Sequence, residues 1–227
     1  MKKIVASLFV VTALLGSQAH AWLGVPYADT ANVSKGDTSV SGGVSIESDV
    51  NLYGLRAQYG FMEGVSVFGG IGMVDFDRMD AEPYFLLGGK YVLPVQLPFD
   101  AALRMSFGFA RFSDKGSHSW VHGSSSWKTD TDLMTINAAL LASKPLSETF
   151  SLYGAVGISY QQTKFKGSST AQFRGVERQE SYSDSNSDTD PAVALGGTYS
   201  VTDNISVYVE ATHIDRTFFS IGGTFKF

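Results

Sequence analysis

The last ten residues, Phe218-Phe219-Ser220-Ile221-Gly222-Gly223-Thr224-Phe225-Lys226-Phe227, decide the fold. Successive side chains of an extended strand point to opposite faces. Phe219, Ile221, Gly223, Phe225 and Phe227 therefore share one face, and Ser220, Gly222, Thr224 and Lys226 share the other. The same period of two runs through 205–214, where Ile205, Val207, Val209 and Ala211 alternate with Ser206, Tyr208, Glu210 and Thr212. It recurs in 99–113 and in 150–165. Helical periodicity is nearly absent. The polar face consists of Ser, Gly, Ala and Thr with single charges, not the Lys- and Glu-rich face of a soluble sheet. Small residues suit the interior of a narrow closed barrel, and closure removes edges that would otherwise aggregate.

Ten strands are expected: 38–48, 51–61, 65–76, 83–93, 99–113, 131–145, 150–165, 189–201, 205–214 and 218–227. The connections alternate in character. Those at 62–64, 94–98, 146–149 and 202–204 are short and rich in turn residues. The other set, at 49–50, 77–82, 114–130, 166–188 and 215–217, contains both long loops. In an up-and-down arrangement all long loops then lie on one side, as in transmembrane barrels with an even strand count. The expected fold is all-β: a closed antiparallel up-and-down transmembrane β-barrel of ten strands. Eight is the alternative if the weak first hairpin is misread.

Composition agrees. Of 227 residues, 44% are apolar, only 17% are charged, 24 are Gly and none is Cys. An ordinary soluble domain carries about 25% charged residues. The 16 Phe and 10 Tyr exclude intrinsic disorder. The lack of Cys excludes disulfide scaffolds and Cys-ligated metal sites. The mean hydropathy of +0.02 is the average of an apolar and a small-polar face.

The N-terminus supplies the address. Lys2 and Lys3 precede an apolar run from Ile4 to Leu15, and Ala19-His20-Ala21 has the small-x-small form of a signal peptidase site. Residues 1–21 are read as a signal peptide. Residues 22–36 form a periplasmic N-terminal lead, either loose or entering the barrel from below, and residues 37–227 form the barrel domain. Without Lys2 and Lys3 the 17 basic residues fall to 15 against 22 acidic ones, and net charge moves from −5 to −7. That balance argues against nucleic acid as a partner.

The C-terminal pattern Phe219-x-Ile221-x-Gly223-x-Phe225-Lys226-Phe227 resembles the terminal signal of bacterial outer-membrane β-barrels. The mature chain resembles the small-barrel class, OmpA-like and opacity-protein-like. The resemblance implies integral residence in the outer membrane of a Gram-negative cell. It implies the barrel-assembly machinery as a partner, reading Phe219, Ile221, Phe225 and Phe227. Outer-membrane lipid and lipopolysaccharide are the expected surroundings. Phe61, Tyr91, Phe99, Phe150, Tyr199 and Phe227 would form a periplasmic aromatic girdle, with Phe76, Phe109, Tyr160 and Phe219 nearer the outer rim.

Alternation places Arg56, Lys90, Asp100, Arg104 and Glu210 in the lumen, with Gln58 and Asn137 as polar company. Buried charges must be paired or hydrated. Two arrangements are expected: an Arg56–Glu210–Arg104 network at mid-height and a diagonal Lys90–Asp100 pair. The charges either satisfy a plugged core or form the constriction of a narrow pore. Enzymatic chemistry would need a nucleophile and base held together. His118, His122 with Ser124, and His213 with Asp215 are thin candidates in a Ser-rich setting, so no catalytic residues, metal or cofactor are expected. Trp120, Trp127, Arg174 and Tyr182 lie in the two long loops and are the expected surface contacts for an extracellular ligand. Arg111 and Lys164 would meet lipid phosphates. The expected function is a structural or narrow-pore role for a monomeric barrel. A surface adhesin is the alternative, and a lipid- or peptide-hydrolysing barrel a more distant one.

Overall fold

The computed structural model describes residues 30–76, 81–120, 123–173 and 176–227. The signal peptide and its cleavage site lie outside the described residues, as do His122 and Arg174. Ten antiparallel strands form the molecule: β1 (Thr38–Glu47), β2 (Val50–Met62), β3 (Val65–Phe76), β4 (Glu82–Val92), β5 (Asp100–Trp120), β6 (Gly123–Pro145), β7 (Phe150–Phe173), β8 (Val176–Ser200), β9 (Ile205–Ile214) and β10 (Arg216–Lys226). Each pairs with its sequence neighbours. β1 closes the ring on β10, from Ser39 opposite Lys226 to Ile46 opposite Phe219. The strand count is ten, not the alternative eight.

The two faces are sorted as the alternation predicts. Leu55, Ile71, Phe85, Leu87, Met105, Val156, Ile158, Leu195, Val209 and Ile221 point outward and are 56–66% exposed. A wall of this kind is stable only against lipid. On β5 the outward apolar run spans residues 101–109, matching the roughly 9–11 residues needed to cross the bilayer. Phe61, Tyr91, Phe99, Phe150, Tyr199 and Phe227 all stand on the outer surface near the short-turn end.

Two sequence expectations need correction. Within the expected loops 114–130 and 166–188, the described residues 114–120, 123–130, 166–173 and 176–188 are not loops. They continue as β-structure, making β5 to β8 21, 23, 24 and 25 residues long. β5–β6 pairing reaches Trp120 opposite Gly123, and β7–β8 pairing reaches Phe173 opposite Val176. A four-stranded sheet thus stands above the barrel mouth. These segments are polar on both faces, so their period of two carries no hydropathy signal.

The lumen is not lined by small residues alone. Phe68, Tyr84, Tyr153 and Tyr208 point inward and are 1–2% exposed. Each lies against a glycine directly opposite on the neighbouring strand: Phe68 on Gly88, Tyr84 on Gly72, Tyr153 on Gly196 and Tyr208 on Gly222. Tyr208 also covers Gly43, the partner of Gly222. A Cβ at any of these glycines would collide with the ring. Part of the high Gly content is therefore spatial in origin: Gly72, Gly88, Gly196 and the Gly43–Gly222 pair each make room for a ring and are covered by it. The tight turn between β2 and β3 uses Gly64 at φ 72°, where a side chain would be strained.

Gly196→Ala should destabilise the barrel by about 1–3 kcal/mol through overpacking against Tyr153. Gly69→Ala, whose Cβ would meet only the Leu86 carbonyl at 3.7 Å, should be nearly silent. Urea unfolding of the two variants in lipid, compared with the parent, checks the pair; equal midpoints would refute the packing account.

Candidate functional site: a packed lumen and a sheet above the barrel mouth

The lumen divides into three levels. At the short-turn end the chain before β1 turns into the barrel. Lys90 Nζ donates to the Thr30 carbonyl at 2.7 Å, and the Ala31 amide donates to Ser143 Oγ at 2.8 Å. Ala31 and Val33 are 0% and 3% exposed. The Gly36 amide donates to the Gly60 carbonyl at 2.7 Å and the Gly64 amide to the Val33 carbonyl at 3.1 Å. A side chain at Gly60 would strike the Ser34 carbonyl and Val33, so glycine there lets the lead pass.

At mid-height sit the buried charges. Arg56, Lys90, Arg104 and Glu210 are 2–4% exposed, so the sequence reading placed all four correctly inside. The two arginines share the ring of Phe68. The Arg104 guanidinium carbon is 4.5 Å and that of Arg56 5.7 Å from its centroid, within cation–π range. Glu210 accepts from Tyr153 Oη at 2.9 Å and from Thr212 Oγ1 at 2.6 Å. Asn137 donates to Ser106 Oγ at 3.4 Å.

The expected Lys90–Asp100 pair does not form. Lys90 is in register with Arg104 and reaches Thr30, whereas Asp100 sits four residues earlier on β5, exposed at the rim opposite Ser143. Sequence reasoning placed Tyr208 on the inner face without seeing what its ring covers, and did not single out Phe68 or Tyr153, although each occupies an inward position by simple alternation. The signal that could have found them is a ring on one strand facing a glycine on the next.

The outer level is apolar. Val50, Leu52, Val74, Tyr84, Leu133 and Phe218 point inward from the outer ends of their strands and are 0–2% exposed. Phe112 and Ile214 join them in one contiguous buried cluster. At the rim, Arg216 Nη1 lies 3.5 Å from both Glu47 Oε2 and Asp49 Oδ2, fastening the β1–β2 turn to β10.

Above the mouth, the extended sheet has two unlike faces. Trp127 and Tyr182 project on the inward-facing side, each covering a cross-strand glycine, Gly116 and Gly167. Tyr182 Oη is 3.2 Å from Thr129 Oγ1. Arg178 bridges Glu180 at 2.6 Å. Trp120 ends β5, and its side chain lies outside the described set. On the outward side Arg111 pairs with Asp132 at 2.6 Å, Lys128 with Asp130 at 2.8 Å, and Ser113 also donates to Asp130.

Of the histidines, His118 is on the inward side of β5 and Ser124 on the outward side of β6, so they do not meet. His213 Nδ1 is 3.0 Å from Thr217 Oγ1, and Asp215 occupies the β9–β10 turn at φ 56°.

A closed antiparallel ring with an apolar outer wall and buried charges in its interior is an integral outer-membrane β-barrel. The outer membrane protein beta-barrel domain family matches residues 74–227, and the chain belongs to that family. No curated protein matches the chain in sequence. Three solved structures illustrate the likeness. OmpT, the outer membrane protease of Escherichia coli, is 11% identical, with 92% of this chain and 100% of that one covered at a TM-score of 0.49. The KdgM porin is 12% identical, with 83% and 99% covered at 0.44. Ail, the attachment invasion locus protein of Yersinia pestis, is 17% identical, with 85% and 99% covered at 0.38. These likenesses bear on no role.

Glu210→Ala leaves the Tyr153 and Thr212 hydroxyls buried without their acceptor, a loss of about 1–3 kcal/mol each. Glu210→Gln keeps an acceptor oxygen and should cost clearly less. Thermal midpoints of heat-modifiable migration rank the two variants, and equal losses would remove Glu210 from the hydrogen-bond account. For the sheet above the mouth, the Arg111 guanidinium holds Asp132 below the usual carboxyl range, and the Lys128 ammonium with Ser113 does the same for Asp130. Depressed carboxyls stabilise above their unfolded value, near 3.8, and that contribution is lost as pH falls below it. Amide protection in 111–132, corrected for the intrinsic pH dependence of exchange, should therefore fall below that pH while protection in β1 to β4 stays unchanged.

Proposed function

We propose that this protein is a non-conducting outer-membrane barrel that presents the β5–β8 sheet at the cell surface as a binding element. One observation carries the reading: the lumen is occupied at all three levels, by residues 30–34 below, by Phe68 with Arg56 and Arg104 at mid-height, and by the Leu52–Leu133–Phe218 cluster above. A barrel of this size is wide enough to be filled by side chains and too narrow to leave an aqueous channel beside them. The charges inside then serve the packing of the core, as the plugged-core alternative expects. What differs from a minimal barrel is the sheet, whose strands run roughly twice the length that crossing the bilayer requires. Its Trp127 and Tyr182 rings lie on glycines and present aromatic surface at a fixed height above the mouth, a residue type that dominates binding hot spots. The mature chain would begin at Trp22 after cleavage behind Ala21, and the assembly machinery would read Phe227 and the alternating residues before it.

Planar bilayers test the closed lumen directly. The full-length protein should give no discrete conductance steps, and steps of stable size in the unaltered protein would restore the narrow-pore reading. Deletion of 116–127 with 168–181 should leave heat-modifiable migration intact and abolish adhesion of expressing cells to host-cell or matrix surfaces to which the parent adheres. Unchanged adhesion would remove the sheet from the function. Deleting Phe227 should lower the folded fraction in cells, and normal assembly without it would exclude the terminal-signal reading.

A further inference from the structure

The side of the extended sheet that faces the barrel mouth is charged opposite to its outward side. Its inward positions carry Asp114 on β5 and Glu180, Asp184 and Asp188 on β8. Arg178 stands on the same face and is held by Glu180 at 2.6 Å. The lysines of these strands, Lys115, Lys128, Lys164 and Lys166, all occupy outward positions. Asp114 and Asp184 are exposed and Asp188 is half-buried. None of the three has a cation within 4.0 Å among the described residues. Carboxylates gathered on one face set up a negative potential over it, which attracts a cationic ligand.

Two rings lie among these carboxylates. Tyr182 has Glu180 and Asp184 two residues away on either side of it on β8 and covers Gly167. Its hydroxyl reaches Thr129, which stands directly opposite Asp114. Trp127 covers Gly116 and shares a row with Ser169 and Glu180. Both rings are half-buried, each with a glycine beneath it and its far side toward the space above the mouth. A guanidinium satisfies an aromatic face and a carboxylate together: its plane stacks on the ring and its fork donates to the oxygens, whereas an ammonium is a point charge. The spacing selects a polymer over a metal ion. Inward residues follow one another about every 7 Å along a strand. Glu180 and Asp184 therefore stand about 14 Å apart, and among the described residues no group of three acidic or histidine side chains is placed to hold a metal. An extended peptide repeats the side chains of one face at the same interval of about 7 Å, so its alternate residues meet successive positions of the sheet.

We propose that the mouth-facing side of the β5–β8 sheet docks an extended, arginine-rich segment of a partner protein. Trp127 and Tyr182 stack on its guanidinium groups, and Asp114, Asp184 and Asp188 pair with them. Charge complementarity and the shared two-residue interval both point to such a segment. The inference rests on the reading of the sheet as a binding element and adds the chemistry of what it binds.

The test titrates fluorescein-labelled octa-arginine into the full-length protein in zwitterionic nanodiscs, with empty discs as background. Octa-lysine should bind about fivefold more weakly, the worth of a cation–π contact at an exposed site, a comparison that requires no variant. D114N/D184N/D188N should weaken octa-arginine binding about tenfold, from roughly twofold for each exposed ion pair. The charge-matched E63Q/E148Q/D203N, which alters the short-turn end, should bind as the parent does. W127L/Y182L should bring octa-arginine down to the affinity of octa-lysine, and W127F/Y182F should keep the preference. Equal affinity of the parent for the two peptides, unchanged binding by the first triple variant, or an equal loss in the second would overturn the proposal. Adhesion that is lost on deleting the sheet, in a parent that does not bind octa-arginine, would leave the sheet a binding element and refute this ligand class.

Discussion

The pairing of β1 with β10 is the contact on which everything else rests. Within hydrocarbon no water is present to satisfy a free amide or carbonyl, so a sheet can cross only if its last strand hydrogen-bonds to its first. The eight register pairs from Ser39–Lys226 to Ile46–Phe219 provide this. Closure of ten strands fixes the circumference, and the circumference fixes how much side chain the interior can hold. The lumen's composition follows from that limit: an inward Tyr or Phe requires that the residue opposite it give up its side chain, as Gly72, Gly88, Gly196 and Gly222 do.

The same limit explains how three buried cations are tolerated. A guanidinium in a tight interior needs partners on several sides. Phe68 offers its π face to Arg56 and Arg104 together, and Gly88 lets the ring lie flat enough to do so. Lys90 is met from below by the Thr30 carbonyl, a group that belongs to the lead rather than to the wall. The chain before β1 is therefore part of the interior's electrostatics, and the barrel's lower end is completed by residues that precede its first strand.

The transmembrane part was legible because lipid enforces contrast. An apolar residue every second position, facing small or polar ones, gave the count of ten, the boundaries of β3 and β9 and the inward placement of Arg56, Arg104 and Glu210. Two features were not legible. The ring-on-glycine packing was hidden because alternation gives the face of Tyr208 but not what the ring meets, until the register places Gly196 opposite Tyr153 and Gly222 opposite Tyr208. The partner of Lys90 was hidden because the path of residues 30–34 is fixed by tertiary contacts with Gly60 and Ser143, not by any local pattern.

The extended sheet was hidden for a different reason, which lies in its edges. Below the mouth β5 is paired with β4, and β8 with β9. Those pairings end at Ala110 and begin at Val193, so β5 beyond Ala110 and β8 before Val193 are open edges in water. An open, flat, apolar edge recruits further strands, and charged side chains along it prevent this. β5 carries Arg111, Asp114 and Lys115 there, and β8 carries Glu177, Arg178, Glu180, Asp184 and Asp188. These charges fall on both faces and erase the hydropathic alternation by which a strand is recognised. The segments read as loops because they are strands that must not pair further. The glycine beneath each of Trp127 and Tyr182 is the remaining trace of sheet in their sequence, repeating above the membrane the ring-on-glycine contact that fills the lumen within it.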